Sequence, residues 1–398
     1  MRDLGVVKFG GTCLAEAQQR ELCADRCVEL LAEFDRLVVV VSAMGRSGDP
    51  YATDSLLALA PEATASERDS LMACGELISA AVMAGLLRRR GIDASALSGA
   101  DAGIVTDDVE GDARIECVYR EPLSCELGRR RVAVVAGFQG QSRQGRVTTL
   151  GRGGSDTTAL ALASALEADE AILFKQVDAV YTADPSRVPE ARPIRRISAE
   201  DLRQMAWQGA KVVHPRAAEI SAESGVPIQV RSLRRGELVT EIEPCVLDTG
   251  RYITGVASGP KVCQVRVSVE DAAASRAEFF ASVFGAVADA GVSMDMFSVM
   301  AVTAVFTVPA REAERVRLLL NRPGAVTETL KPCAKVSIVG AGMHGMRGVM
   351  ARFSRALADE GIDMLQTVDS HATISALVRY GERDRALRAL HREFLEDG

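Results

Sequence analysis

From its start to about residue 235 the chain alternates short apolar runs with stretches of helical periodicity. That alternation restricts it to an α/β architecture built on a mainly parallel sheet sandwiched by helices. Residues 5–9, 37–42, 94–97, 132–137, 171–174 and 227–230 predict strands, and 15–34, 67–89, 157–166, 199–207 and 215–222 predict the helices between them. In open sheets of this kind ligands bind at loops leaving the carboxyl ends of the strands. At 398 residues the chain is long for one core, so two or three domains are expected.

The most glycine-rich of these loops is Gly151-Arg152-Gly153-Gly154-Ser155-Asp156-Thr157-Thr158, after a polar turn (139–146) and before an Ala/Leu-rich helix. Bare backbone N–H groups at a helix start, together with the positive end of the helix dipole, welcome phosphate oxygens. Arg152 adds a fork-shaped cation suited to a carboxylate or phosphate, and Ser155 or Asp156 is placed to cap the helix. The plainer reading is a glycine-rich turn with an N-cap. A second cradle, Lys8-Phe9-Gly10-Gly11-Thr12-Cys13, ends the first strand without P-loop spacing. Lys8 there is either a point charge for a phosphoryl group or a turn lysine facing solvent.

Other loops add polar groups. The second strand ends in Val41-Ser42-Ala43-Met44-Gly45, followed by Asp49-Pro50-Tyr51-Ala52-Thr53-Asp54. Glu76 interrupts a small, apolar helical run and, read alone, is an exposed helix residue; its alternative is an anchor for a substrate ammonium. Lys175-Gln176 through Asp184-Pro185 reads as a loop at the sheet's carboxyl edge. Lys211 lies on a strand-to-helix connection, and His214 before Pro215 reads as a turn residue.

Beyond a polar stretch at 232–249, taken as a linker, two similar units follow. Each runs strand, helix, two strands, helix, and "Ala-Asp-Ala-Gly-Val-Ser-Met" in the first matches "Ala-Asp-Glu-Gly-Ile-Asp-Met" about 70 residues later. This is an internal repeat of the βαββαβ kind, suited to regulation or dimerisation rather than catalysis.

Composition narrows the classes further. A net charge of −7 offers no global electrostatic case for nucleic acid or an anionic membrane. The runs Arg88-Arg89-Arg90 and Arg129-Arg130-Arg131 read as solvated faces. Nine scattered cysteines without a CxxC pair argue for reduced thiols and a cytoplasmic location. The four histidines form no metal-ligand spacing, and no metal site is expected. The first strand begins almost at once, which leaves no room for a signal peptide, and no apolar run approaches the length of a membrane span.

Six collinear motifs carry a resemblance over nearly the whole chain: Lys8 to Thr12, Val39 to Gly45, Gly137-Phe138-Gln139-Gly140, Gly151 to Asp156, Tyr181-Thr182-Ala183-Asp184-Pro185 and Gly209 to Arg216. The chain resembles aspartate kinases, of the amino-acid kinase fold with C-terminal ACT units. The resemblance implies phosphorylation of the side-chain carboxylate of L-aspartate by ATP with Mg2+. It implies Lys8 and Asp156 as catalytic residues and Ser42, Thr53, Glu76 and Arg152 around the amino acid. It implies Gly10, Gly11, Lys175, Gln176, Tyr181, Arg187 and Lys211 on the nucleotide side. An amino-acid effector would bind near Asp295 where first ACT units meet in a homodimer or larger homo-oligomer. The implied boundaries are 1–235 for the kinase domain, 236–250 for a linker and 251–398 for the ACT region, with a first unit of about 262–330 and a second of 251–261 plus 331–398.

Three departures stand out. Cys13 replaces the family's serine, Lys175-Gln176 replaces its Thr-Asp, and Asp184-Pro185-Ser186 replaces Asp-Pro-Arg, with Arg187 one place late. They cluster on the nucleotide side and leave open a kinase with altered nucleotide or acceptor in a specialised pathway. A third reading, from another class, is an inactive amino-acid sensor or regulatory subunit; the intact charge set Lys8, Asp156, Arg152 and Glu76 counts against it.

Overall fold

The structure, a computed structural model, describes residues 2–151, 153–176, 179–210, 213–235, 237–244, 252–269, 276–321, 324–343 and 345–396. Two compact units form. The first takes Met1–Val180, Pro193–Ala206 and Lys211–Leu247; the second takes Tyr181–Arg192, Trp207–Ala210 and Asp248–Gly398.

In the first unit the strands are β1 (Arg2–Phe9), β2 (Phe34–Val41), β3 (Ala94–Leu97), β4 (Ile104–Thr106), β5 (Ile115–Val118), β6 (Val132–Ala136), β7 (Gln139–Ser142), β8 (Val147–Thr149), β9 (Glu170–Lys175), β10 (Arg196–Ser198), β11 (Ile228–Ser232) and β12 (Leu238–Glu243). The helices are α1 (Gly11–Leu14), α2 (Ala17–Leu30), α3 (Thr53–Leu57), α4 (Ala65–Arg89), α5 (Glu121–Leu127), α6 (Gly154–Ala165), α7 (Ala199–Trp207) and α8 (Pro215–Ser224). An eight-stranded sheet has the order β10-β12-β11-β9-β1-β2-β6-β3. Each neighbouring pair is parallel except β11–β12.

Central strands buried on both faces need near-continuous apolar sequence, and Leu37 to Val41 and Val132 to Ala136 supply it. Val7, Phe9, Val39, Val41, Ile172 and Phe174 share one core with Cys23 and Leu30 of α2 and Met83 and Leu87 of α4. The alternate residues face the opposite side, where α6 lies against β1, β2 and β9. This places the start of α6 beside the carboxyl ends of β1 and β2.

Several expectations are corrected. The helix expected over 15–34 is α2, Ala17–Leu30, preceded by the separate short α1; it ends early because Phe34 starts β2 and is fully buried. The supposed linker contains β12, which pairs antiparallel with β11 and parallel with β10. Its Thr-Glu-Ile-Glu alternation suits a sheet margin but reads as polar loop. The polar turn at 139–146 is a hairpin, β7 to β8, in a second sheet of order β5-β4-β7-β8. Strands of three or four residues are too short to register as periodicity. Among the described residues one helix, α4, is long and apolar enough to cross a membrane by length and composition, contrary to expectation. It packs on β3, β6 and β8 and buries Asp69 and Glu76, as a core helix does.

The second unit holds β13 (Gly255–Val269), β14 (Asp295–Met300), β15 (Thr303–Pro309), β16 (Ala325–Val339), β17 (Gln366–Asp369) and β18 (Thr373–Arg379), with α9 (Arg276–Asp289), α10 (Ala313–Leu320), α11 (Val349–Asp359) and α12 (Arg383–His391). They form one antiparallel sheet of order β14-β15-β13-β16-β18-β17. The 15-residue strands β13 and β16 pair along their whole length and run through both repeats. Residues 181–192 belong to this unit although they precede the expected boundary. Ala183 and Val188 are buried with Phe353, Leu387 and Leu390. The Thr182 hydroxyl meets His391 Nε2 at 2.9 Å, and His391 Nδ1 meets Glu396 Oε1 at 2.8 Å.

Phe9 and Phe174 stack in the core of the first unit with ring centroids 5.1 Å apart. Phe9→Ala should lower the unfolding free energy by about 3–5 kcal/mol in denaturant titration, the usual cost of a large-to-small core change.

Candidate active site

The site is built where strand tips crowd together. A Cβ on Gly11 would stand 2.7 Å from the Ala43 carbonyl oxygen and 3.1 Å from that of Gly45, so only glycine lets the tips of β1 and β2 come this close. On the facing loop Gly151 and Gly153 hold φ of +69° and +74°. Gly153 itself is the N-cap of α6, with no side-chain cap. Ser155 and Asp156 therefore lie inside the first turn instead of capping it. The Asp156 carboxylate is left free to reach across to the strand ends.

It meets two lysines. Lys8 Nζ lies 2.6 Å from Asp156 Oδ1, and Lys175 Nζ lies 2.6 Å from Oδ2. Burial would raise the Asp156 pKa, but the ammoniums of Lys175 and Lys8 outweigh it and hold the carboxyl well below the usual range. The Lys175 pKa is pushed down by burial, against the pull of Asp156. Cys13 is fully buried beneath this cluster, its Sγ 3.7 Å from the Phe174 carbonyl oxygen, and burial raises its pKa. It is a core thiol, so its replacement of serine does not touch the open site.

A cleft of about 490 Å³ opens above, lined by Lys8, Ser42, Thr53, Glu76, Gly153 and Asp156 among others. Glu76 is 3% exposed, contrary to the exposed helix residue expected from its neighbours alone. One oxygen accepts from the Ala43 N–H at 3.0 Å, while Oε2 is buried without a partner. Burial pushes its pKa up to about 8. Gly10, Gly11, Lys175 and Gln176 are not among the lining residues. Gln176 is exposed and donates to the Thr12 carbonyl. Tyr181 and Arg187 belong to the second unit, where Arg187 pairs with Asp384 at 2.8 Å. Asp295, also there, is exposed and pairs with Lys335 at 2.9 Å. Arg152 and Lys211 lie outside the described residues.

Sequence reasoning missed Asp69. It is fully buried on α4, accepts from the Gly111 N–H at 3.0 Å and from the Thr149 hydroxyl at 2.6 Å, and so ties down the end of β8 just before Gly151. Its signal was its spacing, seven residues before Glu76, which places both acids on one helix face. Arg216 fixes the same loop through Asp112 Oδ2 at 2.9 Å and the Leu150 carbonyl at 3.1 Å.

The described residues hold no group of three or more His, Cys, Asp or Glu side chains able to bind a metal. With both Asp156 oxygens engaged by ammoniums, a magnesium ion here would have to bring most of its ligands with it.

A model of the amino acid kinase family matches residues 3–232, and an ACT domain model matches 328–392. Aspartokinase 1 of Bacillus subtilis is 40% identical, over 98% of each chain. The chain belongs to the aspartokinase family. The aspartokinase of Corynebacterium glutamicum is 37% identical over 98% of this chain and 96% of its own. A solved structure of E. coli aspartokinase III with aspartate and ADP shares the fold, at a TM-score of 0.81, 22% identity and coverage of 98% and 99%. This aspartokinase thus pairs the family's kinase fold with two lysines on Asp156.

Two outcomes follow from the buried acids. Because the Glu76 pKa is raised on folding, its ionisation costs stability increasingly as pH rises above about 4.5 towards 8. Glu76→Gln should therefore stabilise the ligand-free protein near pH 8 by on the order of 3 kcal/mol, the gain vanishing near pH 4.5 in thermal melts. Asp69→Ala strands the buried Thr149 hydroxyl and N–H and should cost on the order of 2–4 kcal/mol.

Proposed function

We propose that this aspartokinase transfers the γ-phosphoryl group of ATP to the side-chain carboxylate of L-aspartate, giving 4-phospho-L-aspartate and ADP, with feedback through its ACT region. The observation that carries the site assignment is the unpartnered Oε2 of Glu76, buried in the same cleft as Lys8 and Asp156. A buried carboxyl with one oxygen unmet suits a substrate ammonium, which would supply both the missing hydrogen bond and the counter-charge.

On this reading Glu76 binds the aspartate ammonium, Ser42 and Thr53 hydrogen-bond the amino acid, and Arg152 pairs with its α-carboxylate. The side-chain carboxylate then faces Lys8 and the start of α6. One of its oxygens attacks the γ-phosphorus, the bond to the β,γ-bridging oxygen breaks, and ADP departs. The attacking carboxylate carries no proton, so the step needs no general base. Catalysis rests on position and charge compensation. Lys8 and the Gly10 and Gly11 backbone meet the transferring group, with Asp156 fixing Lys8. Lys175, Gln176 and Lys211 serve the nucleotide side. Nucleotide-bound Mg2+ supplies further neutralisation of the phosphate oxygens.

The kinase region, 1–235, would act under an ACT region, 251–398, in a cytoplasmic homodimer with an amino-acid effector near Asp295. One solved structure of E. coli aspartokinase III is a complex with both lysine and aspartate; an activity assay with candidate effectors added identifies the amino acid that acts here. The Lys175–Asp156 pair favours one further reading, a changed nucleotide preference.

Trapping acyl phosphate as hydroxamate should give strong product with aspartate and ATP and none with Asp156→Ala. Product only with GTP, CTP or UTP, or only with glutamate, would move the assignment to the altered-specificity reading. Aspartate binding at pH 7 should also release close to one proton, because Glu76 passes from mostly protonated to ionised. Calorimetry in buffers of different ionisation enthalpy reads this directly, and Glu76→Gln should abolish it.

A further inference from the structure

Asp156 is one carboxylate shared by two ammoniums, one on each oxygen. Lys8, Asp156 and Lys175 have side chains only 7%, 7% and 15% exposed, and neither lysine has another ion pair among the described residues. The cluster thus carries a net positive charge largely away from water, at the N-terminal end of α6, where the helix dipole adds to it. An excess buried charge is costly until an anion arrives. The two lysines are not equivalent, since Lys8 lines the cleft and Lys175 does not.

The asymmetry divides the work. If Lys8 were the sole partner of Asp156, moving it to a phosphoryl group would leave a buried carboxylate unpaired. Asp156 would then hold Lys8 back or take up a proton. With Lys175 on Oδ2 at 2.6 Å, Asp156 keeps a counter-ion whichever way Lys8 turns. Building on the aspartokinase reading, we infer that Lys175 is a positioning residue that keeps Asp156 charged and in place while Lys8 leaves it for the transferring phosphoryl group. The lysine that replaces the family's threonine is then part of the phosphoryl-transfer machinery, acting through Asp156 and Lys8.

The test compares wild type with K175M and K175R, titrated by calorimetry with a non-hydrolysable β,γ-imido analogue of ATP plus magnesium, and separately with aspartate. In K175M the analogue should bind roughly tenfold more weakly or worse and with added proton uptake, as Asp156 protonates when Lys8 departs. K175R, which keeps the charge, should stay close to wild type on both counts, and aspartate affinity should be unchanged in all three. In turnover, K175M should lose kcat and raise KM for ATP, leaving KM for aspartate alone. A merely structural lysine would move neither proton uptake nor this split. K175M binding the analogue within about twofold of wild type, with the same proton count, would overturn the inference while the aspartokinase reading stands. Wild type binding neither analogue nor aspartate would overturn both. Should K175M not fold, K175Q takes its place under the same criteria.

Discussion

A single buried carboxylate ties together three elements of the kinase fold. Asp156 lies in the first turn of α6, Lys8 near the end of β1 and Lys175 at the end of β9. Its two ion pairs hold the helix start against two neighbouring strand tips. The surrounding glycines follow from that requirement. Gly153 caps α6 without a side chain, and Gly11 lets β1 and β2 converge. The cleft that Lys8 and Asp156 line is thus a product of close backbone approach.

The same crowding explains what the sequence revealed and what it hid. The parallel core was legible because doubly buried strands must be apolar throughout, as in Leu37 to Val41. The glycine cradles singled out Lys8 and Asp156, but from the residues alone Lys8 could equally face solvent and Asp156 read as a helix cap, a position that Gly153 takes. Glu76 was not, since its buried state depends on α4 lying over the cleft, which helical periodicity does not disclose. The β7–β8 hairpin and β12 were invisible for a different reason: short or marginal strands carry polar residues and are specified by their partners. Lys175 stands out in the sequence as a departure from the family, but its placement on Asp156 required coordinates.

The two units use buried polarity differently. In the kinase unit, Asp69 pins a loop, while Glu76 accepts from the Ala43 N–H and leaves its other oxygen unmet at the cleft. In the second unit the buried Thr182 and His391, with half-buried Glu396, form a chain that fastens residues 181–192 to its C-terminal end.

That fastening bears on how such a protein can be divided. Residues 181–192 sit in sequence inside the kinase region, yet Ala183 and Val188 are covered by side chains from α11 and α12. A gene shortened at the apparent boundary would leave these apolar residues bare in the middle of the remaining fragment. The second unit is therefore not built from contiguous C-terminal sequence alone, since part of its core is written in advance, inside the stretch that encodes the kinase unit.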